Sequence, residues 1–313
     1  MQDYALMMVL AMALEAAIGW PAPVFARIGH PVTWAGALIS ALDRALNRDS
    51  DSFATRRAKG VLTLALVVLA AALPALAVQS QLHGFSGVLI GGILAWPLVA
   101  SRSLHDHVAA VARPLSNGDL PAARRAVAMI VGRDPQALDQ AGVARAALES
   151  LAENASDGVV APLFWGAIFG LPGIAAYKAI NTLDSMIGHR SARYTAFGWG
   201  SARLDDLVNL IPARLTGGLF AMTSAHPGAA LACMMTDARH HRSPNAGWPE
   251  AAMAGGLGVR VSGPRLYGDR MAFEPFVNAT CPDPTPQDLT AGLALFRRGM
   301  LACAGVLLMV AVV

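Results

Sequence analysis

Three stretches of this chain set acids, bases and amides close together among apolar residues. In ESLAENASDG, residues 149–158, Glu149, Glu153 and Asp157 recur every four residues, so on one helix they share a face. Three carboxylates side by side repel unless water or a cation separates them. The pattern suits Mg2+ or an ammonium group, and its plain alternative is a solvated helix end before Gly158. In YKAINTLDSMIGHRSARY, residues 177–194, Asn181 and Asp184 are three apart, with Lys178, His189, Arg190, Arg193 and Tyr194 nearby. Cations this dense beside apolar helices suit an anion or phosphate site; the alternative is a basic membrane flank. In RLDDLVNLIPARLT, residues 203–216, Asp205, Asp206 and Asn209 can converge from one helical turn, which is an oxygen-ligand set of the kind that holds Mg2+. An aspartate at the centre of a lipid-exposed helix costs roughly 2.5–3.5 kcal/mol. Two would cancel much of the gain from their apolar neighbours. They must face water, a cation or a ligand, or sit at the aqueous end of the helix beside Arg203.

Two weaker features stand apart. SPNAGWPEAAMAGGLGVRVSGP, residues 243–264, combines a glycine cluster with Arg260 and the adjacent Arg265. Its backbone N–H groups could cradle phosphate oxygens, although no GxxxxGK[ST] occurs in the chain. His30 opens an amphipathic stretch and reads as structural. The chain has no HExxH, GxSxG or zinc-type Cys/His spacing. Cys233, Cys281 and Cys303 form no CxxC and read as small apolar residues.

The elements that must carry these residues follow from composition. Of 313 residues, 14% are charged and 55% apolar, with a mean hydropathy of +0.46; a soluble domain carries roughly 25% charge. Those values exclude a disordered chain, a disulfide scaffold and a highly charged nucleic-acid binder. A net charge of +3 says little about partners. The uncharged run Val61–Val78 spans about 27 Å as a helix, close to a hydrocarbon core. The polar turn Gln79–Gly84 follows, and Phe85–Ala100 runs back without a charge. Arg56, Arg57 and Lys59 precede this hairpin and Arg102, Arg113, Arg124 and Arg125 follow it, which puts both flanks in the cytoplasm. Tyr4–Trp20, interrupted by Glu15 and lacking a basic leader, reads as a retained membrane helix. Arg297 and Arg298 precede a last apolar run, Met300–Val313, so the C-terminus points outward.

The fold expected is all-α: a polytopic integral membrane helical protein with a cytoplasmic helical insertion and polar loops. We expect one membrane domain over 1–313, with spans at 4–20, 61–78, 85–100, 204–223 and 299–313. The insertion covers 101–157, where Asp119 caps a helix ending at Gly132 and a second runs Leu138–Asn154. A polar loop region covers 236–298. Val32–Leu46 has one apolar stripe and reads as an interfacial helix, or as a helix packed in the bundle. Residues 158–177 carry Pro162, Pro172 and several glycines. If they and 204–223 each crossed once, the basic segment Lys178–Arg203 would lie outside, so a re-entrant or broken helix around Pro162–Gly173 fits better.

Taken in order, HPVTWAGALISALDRALN, GRDPQALDQAGVARAALESLAENASDGVVAPLFW, GLPGIAAYKAINTLDSMIGHRSARYTAFGWGSARLDDLVNLIPARLT and DARHHRSPNAGWPEAAMAGGLGVRVSGP closely resemble the adenosylcobinamide-phosphate synthase family of cobalamin biosynthesis. The resemblance runs from about His30 to Tyr267; Gly268–Thr285 diverges, and nothing is carried over there. It implies a multi-pass enzyme of the bacterial cytoplasmic (inner) membrane. The implied reaction is ligation: (R)-1-aminopropan-2-ol, or its O-phosphate, joins a propionate carboxylate of adenosylcobyric acid in an amide bond, driven by ATP and Mg2+. Within that chemistry Asp205, Asp206 and Asn209, with Glu153 and Asp157, are the expected Mg2+ ligands. Lys178, Arg190, Arg193 and Arg214 would hold phosphates, with Asn181, Tyr194, Arg260 and Arg265 as further binding residues. His189 or Asp184 would take the proton of the amine. The expected partners are the corrinoid, the aminopropanol phosphate and the lipid bilayer, with no nucleic acid; a homo-oligomer is left open.

Two other readings compete. The Asp205-Asp206-x-x-Asn209 pattern, with Asn181-x-x-Asp184, would also suit a membrane prenyltransferase that ionises an isoprenyl diphosphate on aspartate-bound Mg2+. A non-catalytic membrane scaffold of related fold is the third.

Overall fold

The structure is a computed structural model. It describes residues 2–131, 135–267 and 270–312, and residues 265–267 and 270–272 as backbone only. Among the described residues the chain is mostly helical, with almost no sheet. Helices α1 (Gln2–Ile18), α2 (Ala22–Ile28), α3 (Pro31–Leu46), α4 (Phe53–Gln79) and α5 (Gly84–Ala95) open it. A 3-10 turn at Trp96–Leu98 leads to α6 (Ser101–Ser116), α7 (Leu120–Val127) and α8 (Gln140–Ala155). Then come α9 (Ala161–Phe169), α10 (Leu171–Leu183), α11 (Tyr194–Phe197), α12 (Trp199–Val208) and α13 (Leu210–Thr223). The chain continues through α14 (Pro227–Asp237) and α15 (Gly247–Leu257) to α16 (Pro286–Val312). Between α15 and α16 lie four very short strands, β1 (Val261–Ser262), β2 (Arg265–Tyr267), β3 (Arg270–Ala272) and β4 (Phe276–Val277). They make two antiparallel pairs, β1 with β4 and β2 with β3, which an all-α expectation does not include.

The chain forms two compact units. The first comprises Met1–Ala100, Ala161–Asn209 and Val306–Val313. Its core joins Ile39 of α3, Val67 of α4, Ala179 and Leu183 of α10, Ile187 just after α10 and Phe197 of α11, all almost fully buried. At α4 the approach is very close: a Cβ on Gly60 would collide with the Phe197 carbonyl. His30 starts α3 as a cap, its Nδ1 accepting the Val32 N–H at 3.2 Å, the structural role expected of it. The unit also breaks one helix. Gly170 takes φ +70° between α9 and α10, a left-handed turn that favours glycine, and Gln79 Oε1 accepts the freed Leu171 N–H at 2.6 Å.

The second unit comprises Ser101–Val160 and Leu210–Gly305. Within it α6 packs on α7 and α8, and α15 packs on α8, α13 and α14. Asp119 caps α7, its carboxylate accepting Ala122 N–H at 2.9 Å. The helix end expected at Gly132 lies outside the described residues. Asp139 caps α8 by accepting Gly142 N–H at 2.7 Å.

Among the described residues, Phe53–Gln79, Gly84–Ser116 and Pro286–Val312 are long and apolar enough to cross a membrane. Gln2–Ile18 and Ala22–Leu46 pass that test as one pair bent by 109°. Residues 204–223 are two helices meeting at Asn209. The same carboxylates that argue against a lipid-exposed helix lie in its first half.

Candidate acidic site on the first unit

The centre of this unit's polar chemistry is the end of α10 and the facing helix α12. After Leu183 the helix does not stop. It widens into a π-helical turn, Asp184–Gly188, a local form that often marks functional sites. The widening brings Asp184 back over Gly188, where any Cβ would strike its carboxylate. On the other side Trp165 Nε1 donates to the Val208 carbonyl at 3.0 Å and fixes the end of α12.

Here Asp184, Asp205 and Asp206 act on one another electrostatically. All three lie outside the candidate membrane spans. Burial pushes the Asp184 carboxyl up to about 6, with Asp206 adding to the shift and His189 opposing it. Burial pushes Asp205 up to about 7; Asp184 and Asp206 reinforce this, while the Asn209 and Asn181 amides oppose it. Burial also raises Asp206, against the opposing charges of Arg203 and Arg190. Arg203 pairs with Asp206 at 3.6 Å.

A short chain of hydrogen bonds sets the Asp205 carboxylate. Tyr177 Oη donates to Asn209 Oδ1 at 2.9 Å, and Asn209 Nδ2 donates to Asp205 Oδ2 at 3.0 Å. All three residues are buried. Asp205 Oδ1 is enclosed yet meets no donor with hydrogen-bond geometry. Asn209, expected as a metal ligand, is thus engaged at both ends of its side chain, and holds Asp205. Tyr177 was not evident from spacing, because its partner is 32 residues away. Among the described residues, no three His, Cys, Asp or Glu side chains form a cluster that could hold a metal ion. The enclosed Asp205 Oδ1 offers one hard ligand, with Asp184 and Asp206 near it.

The other expected residues fall in distinct settings. Lys178 lies on α10 beside Ala175, Ala179 and Thr182 and lines a mostly apolar cavity of about 400 Å3 with α3 and α4. His189 packs edge-on against Tyr194, ring centroids 4.9 Å apart. Arg193 grips Asp43 through Nη2 at 2.8 Å and Nε at 3.3 Å, and Tyr194 Oη donates to the same oxygen at 3.3 Å. Asn47 donates to Asp43 Oδ1 at 2.8 Å and accepts from Arg56 Nε at 2.9 Å, while Arg56 also donates to the Arg193 carbonyl. This clamp ties α3, α4 and α11 together, and it commits the Arg193 charge to Asp43.

Glu149, Glu153, Asp157, Arg214, Arg260 and Arg265 belong to the second unit. Of the three acids expected on one face, Glu149 and Glu153 lie four apart on α8 and Asp157 lies beyond it. Glu149 is buried and its Oε1 accepts the Ser262 N–H at 2.9 Å; Glu153 is exposed; Asp157 falls in a π-helical turn, Ser156–Val160, which shifts the register beyond four residues. Arg214 stacks over Trp248 at 4.3 Å and donates to the Leu210 carbonyl at 2.6 Å. Arg260 makes a two-pronged bond to Asp283, at 3.0 and 2.6 Å, with Arg145 on the same carboxylate. Gly255 and Gly256 of the glycine cluster lie inside α15, where Gly255 lets α14 approach closely. The Arg265 side chain is outside the described residues.

The pattern of the CobD/Cbib protein family matches residues 8–296. The chain belongs to that family. It is 64% identical over 311 residues to the cobalamin biosynthesis protein CobD of Rhodobacter capsulatus, covering 99% of this chain and 98% of that one. CobD proteins of a Sinorhizobium species and of Brucella suis are 44% and 45% identical, each over 98% of this chain and over 98% and 97% of theirs. No solved structure matches. The family assignment places the chain in cobalamin biosynthesis, which fits a corrinoid substrate.

Proposed function

We propose that this CobD-family protein is the amide-forming ligase of its pathway, acting as a multi-pass enzyme of the bacterial inner membrane. Its substrates are adenosylcobyric acid and (R)-1-aminopropan-2-ol or its O-phosphate, with ATP and Mg2+. The observation that carries the reading is the buried Asp205 carboxylate, with one oxygen held by Asn209 and the other enclosed without a donor in hydrogen-bond geometry, among Asp184, Asp206, Arg190 and Arg203. A carboxylate is a poor electrophile because its leaving group would be oxide. ATP with Mg2+ supplies the phosphoryl group that turns it into an activated acyl group.

The chain's own residues then have defined tasks. Asp205 Oδ1 and Asp206 would hold the metal, and carboxylate oxygens are the ligands Mg2+ prefers. Arg190 and Arg203 would face phosphoryl oxygens, where fixed cations stabilise developing charge. Asp184, with a carboxyl near 6, is a proton acceptor suited to neutral pH and would take the ammonium proton of the amine. Tyr177 and Asn209 keep Asp205 oriented. The apolar helices and basic hairpin flanks support the membrane placement.

The test uses purified protein in detergent, with adenosylcobyric acid, aminopropanol phosphate and MgATP, and compares wild type with Asp206→Ala and Asp205→Asn. Loss of a carboxylate there lowers kcat at least about a hundredfold. Full ligase activity in Asp206→Ala removes the metal assignment. Incubation with isoprenyl diphosphate gives no product on this reading; a prenylated product would favour the transferase.

A further inference from the structure

Helix α12 carries a buried polar stripe of which the site above uses only part. Ser201, Asp205 and Asn209 are four residues apart, so they lie along one side of the helix and its cap. They are 0%, 9% and 1% exposed. Polar groups this dry need partners, because a buried hydroxyl or carboxylate oxygen without one costs stability.

Asn209 has partners at both ends of its amide, one of them Asp205 Oδ2 at 3.0 Å. The other end of the stripe differs. Among the described residues, Ser201 Oγ is buried and meets no hydrogen-bond partner. Asp205 Oδ1 meets none either, although the Asn181 amide of α10 acts on the same carboxylate. These two oxygens belong to residues one turn apart, whose Cβ atoms lie about 5–6 Å from each other on a helix.

Ser201 is also out of line with its neighbours. A buried Ser or Thr on a helix has a ready acceptor in the carbonyl four residues back. Thr63, Thr182, Ser185 and Thr195 of this unit all use it, at 2.9, 2.6, 2.9 and 2.6 Å. Ser201 does not. The carbonyl four residues before it is that of Phe197, which is packed against Gly60 of α4. The hydroxyl is left without the bond its helix would offer.

Chemistry narrows the occupant. Ligands at i and i+4 on one helix converge on a single ion in helical metal sites. Oxygen ligands select a hard cation such as Mg2+, and a Ser or Thr hydroxyl is a known Mg2+ ligand in phosphate-binding loops. Among the described residues no three acidic, His or Cys side chains cluster here, so a neutral oxygen has a place in the ligand set. Asp206, next to Asp205, has a side chain 35% exposed, which gives an ion a way in from solvent.

The geometry points to Ser201 as a metal ligand: its hydroxyl and Asp205 Oδ1 take the same Mg2+ from one turn of α12. This rests on the reading of Asp205 as the Mg2+ carboxylate.

The test is titration of the full-length protein in detergent with MnCl2, then MgCl2, without nucleotide or corrinoid. Electron paramagnetic resonance reads free Mn2+, displacement gives the Mg2+ affinity, and thermal unfolding is followed with and without Mg2+. Ser201→Ala binds both ions at least about tenfold more weakly than wild type. Its Tm without metal equals or exceeds that of wild type, because an unsatisfied buried hydroxyl is gone, and its gain in Tm on adding Mg2+ is smaller. Ser201→Cys, nearly the same shape, loses Mg2+ affinity and gains Cd2+ affinity, with a sulfur-to-metal absorption band above the wild-type background. Asp205→Asn is the control. If Asp205→Asn loses metal while Ser201→Ala binds Mg2+ as wild type does, Ser201 is no ligand and the Asp205 reading stands. A lower Tm of metal-free Ser201→Ala with unchanged Mg2+ affinity means that the hydroxyl holds an internal water, and overturns the inference. Metal binding equal to wild type in Asp205→Asn removes the Asp205 reading and the inference with it. If both variants lose metal but wild type makes no amide, the ligase reading fails and the Ser201 ligand stands.

Discussion

Asp205 shows how much of the chemistry depends on a single side chain. Its carboxyl is raised from 3.8 to about 7, and that of Asp184 from 3.8 to about 6. The folded protein therefore keeps protons that the unfolded chain has already released. Between about pH 4 and pH 7 stability falls as pH rises, because the native state binds more protons across that window. Thermal unfolding of the detergent-solubilised protein should show Tm dropping through this range, and Asp205→Asn should flatten the drop. A variant with the same slope as wild type would show that Asp205 is not the titrating group. Tyr177→Phe removes the donor to Asn209 while keeping the ring. It should lower kcat more than it raises KM and shift the acid limb of the pH–rate profile, whereas a purely structural role would leave that limb in place. At this scale the sequence was only partly readable. Asp184, Asp205 and Asp206 stood out because carboxylates amid apolar residues need a reason. Tyr177 and Asp43 did not, since what makes them matter is a partner 32 and 150 residues away. Asp43, inside the amphipathic stretch Val32–Leu46, is buried under Arg193.

Helices set these side chains through close approaches rather than through propensity. Gly60 on α4 sits where a Cβ would strike the Phe197 carbonyl, while Gly218 on α13 has open space around it. Gly60→Ala should destabilise by about 1–3 kcal/mol and weaken the packing that holds α11. Gly218→Ala should be neutral or stabilising by up to about 1 kcal/mol. Equal Tm values for the two variants would contradict the packing described. The long apolar helices were legible because an uncharged run has a length that a membrane fixes. The π-helical turns at Ser156–Val160 and Asp184–Gly188 were not, since an extra residue in a turn leaves no mark on a periodic pattern. The first of them takes Asp157 out of the α-helical register that Glu149 and Glu153 keep on α8.

Among the described residues, three helices have the length and apolarity of membrane spans. The outer surface of α4 carries Leu62, Leu66, Leu69, Leu73 and Leu76 exposed, a face that water would not tolerate and lipid would. With both hairpin flanks basic, a Cys placed at Ser80 should react with a membrane-impermeant maleimide in intact cells, and one at Asn117 only after lysis. The reverse pattern would invert the topology. Membership of the CobD/Cbib family was readable from the central block, whose acids, amides and arginines come in order. The short strand pairs after α15 were not, because strands of two or three residues are too brief to show an alternating pattern.

The chemistry is tested most directly by tracing one oxygen. Adenosylcobyric acid with 18O in the reacting carboxylate is incubated with purified protein, aminopropanol phosphate and MgATP, and the products are weighed by mass spectrometry. Activation of the carboxylate by ATP yields the amide product together with inorganic phosphate carrying one 18O from that carboxylate. Absence of the amide, or amide formed with unlabelled phosphate, would contradict it.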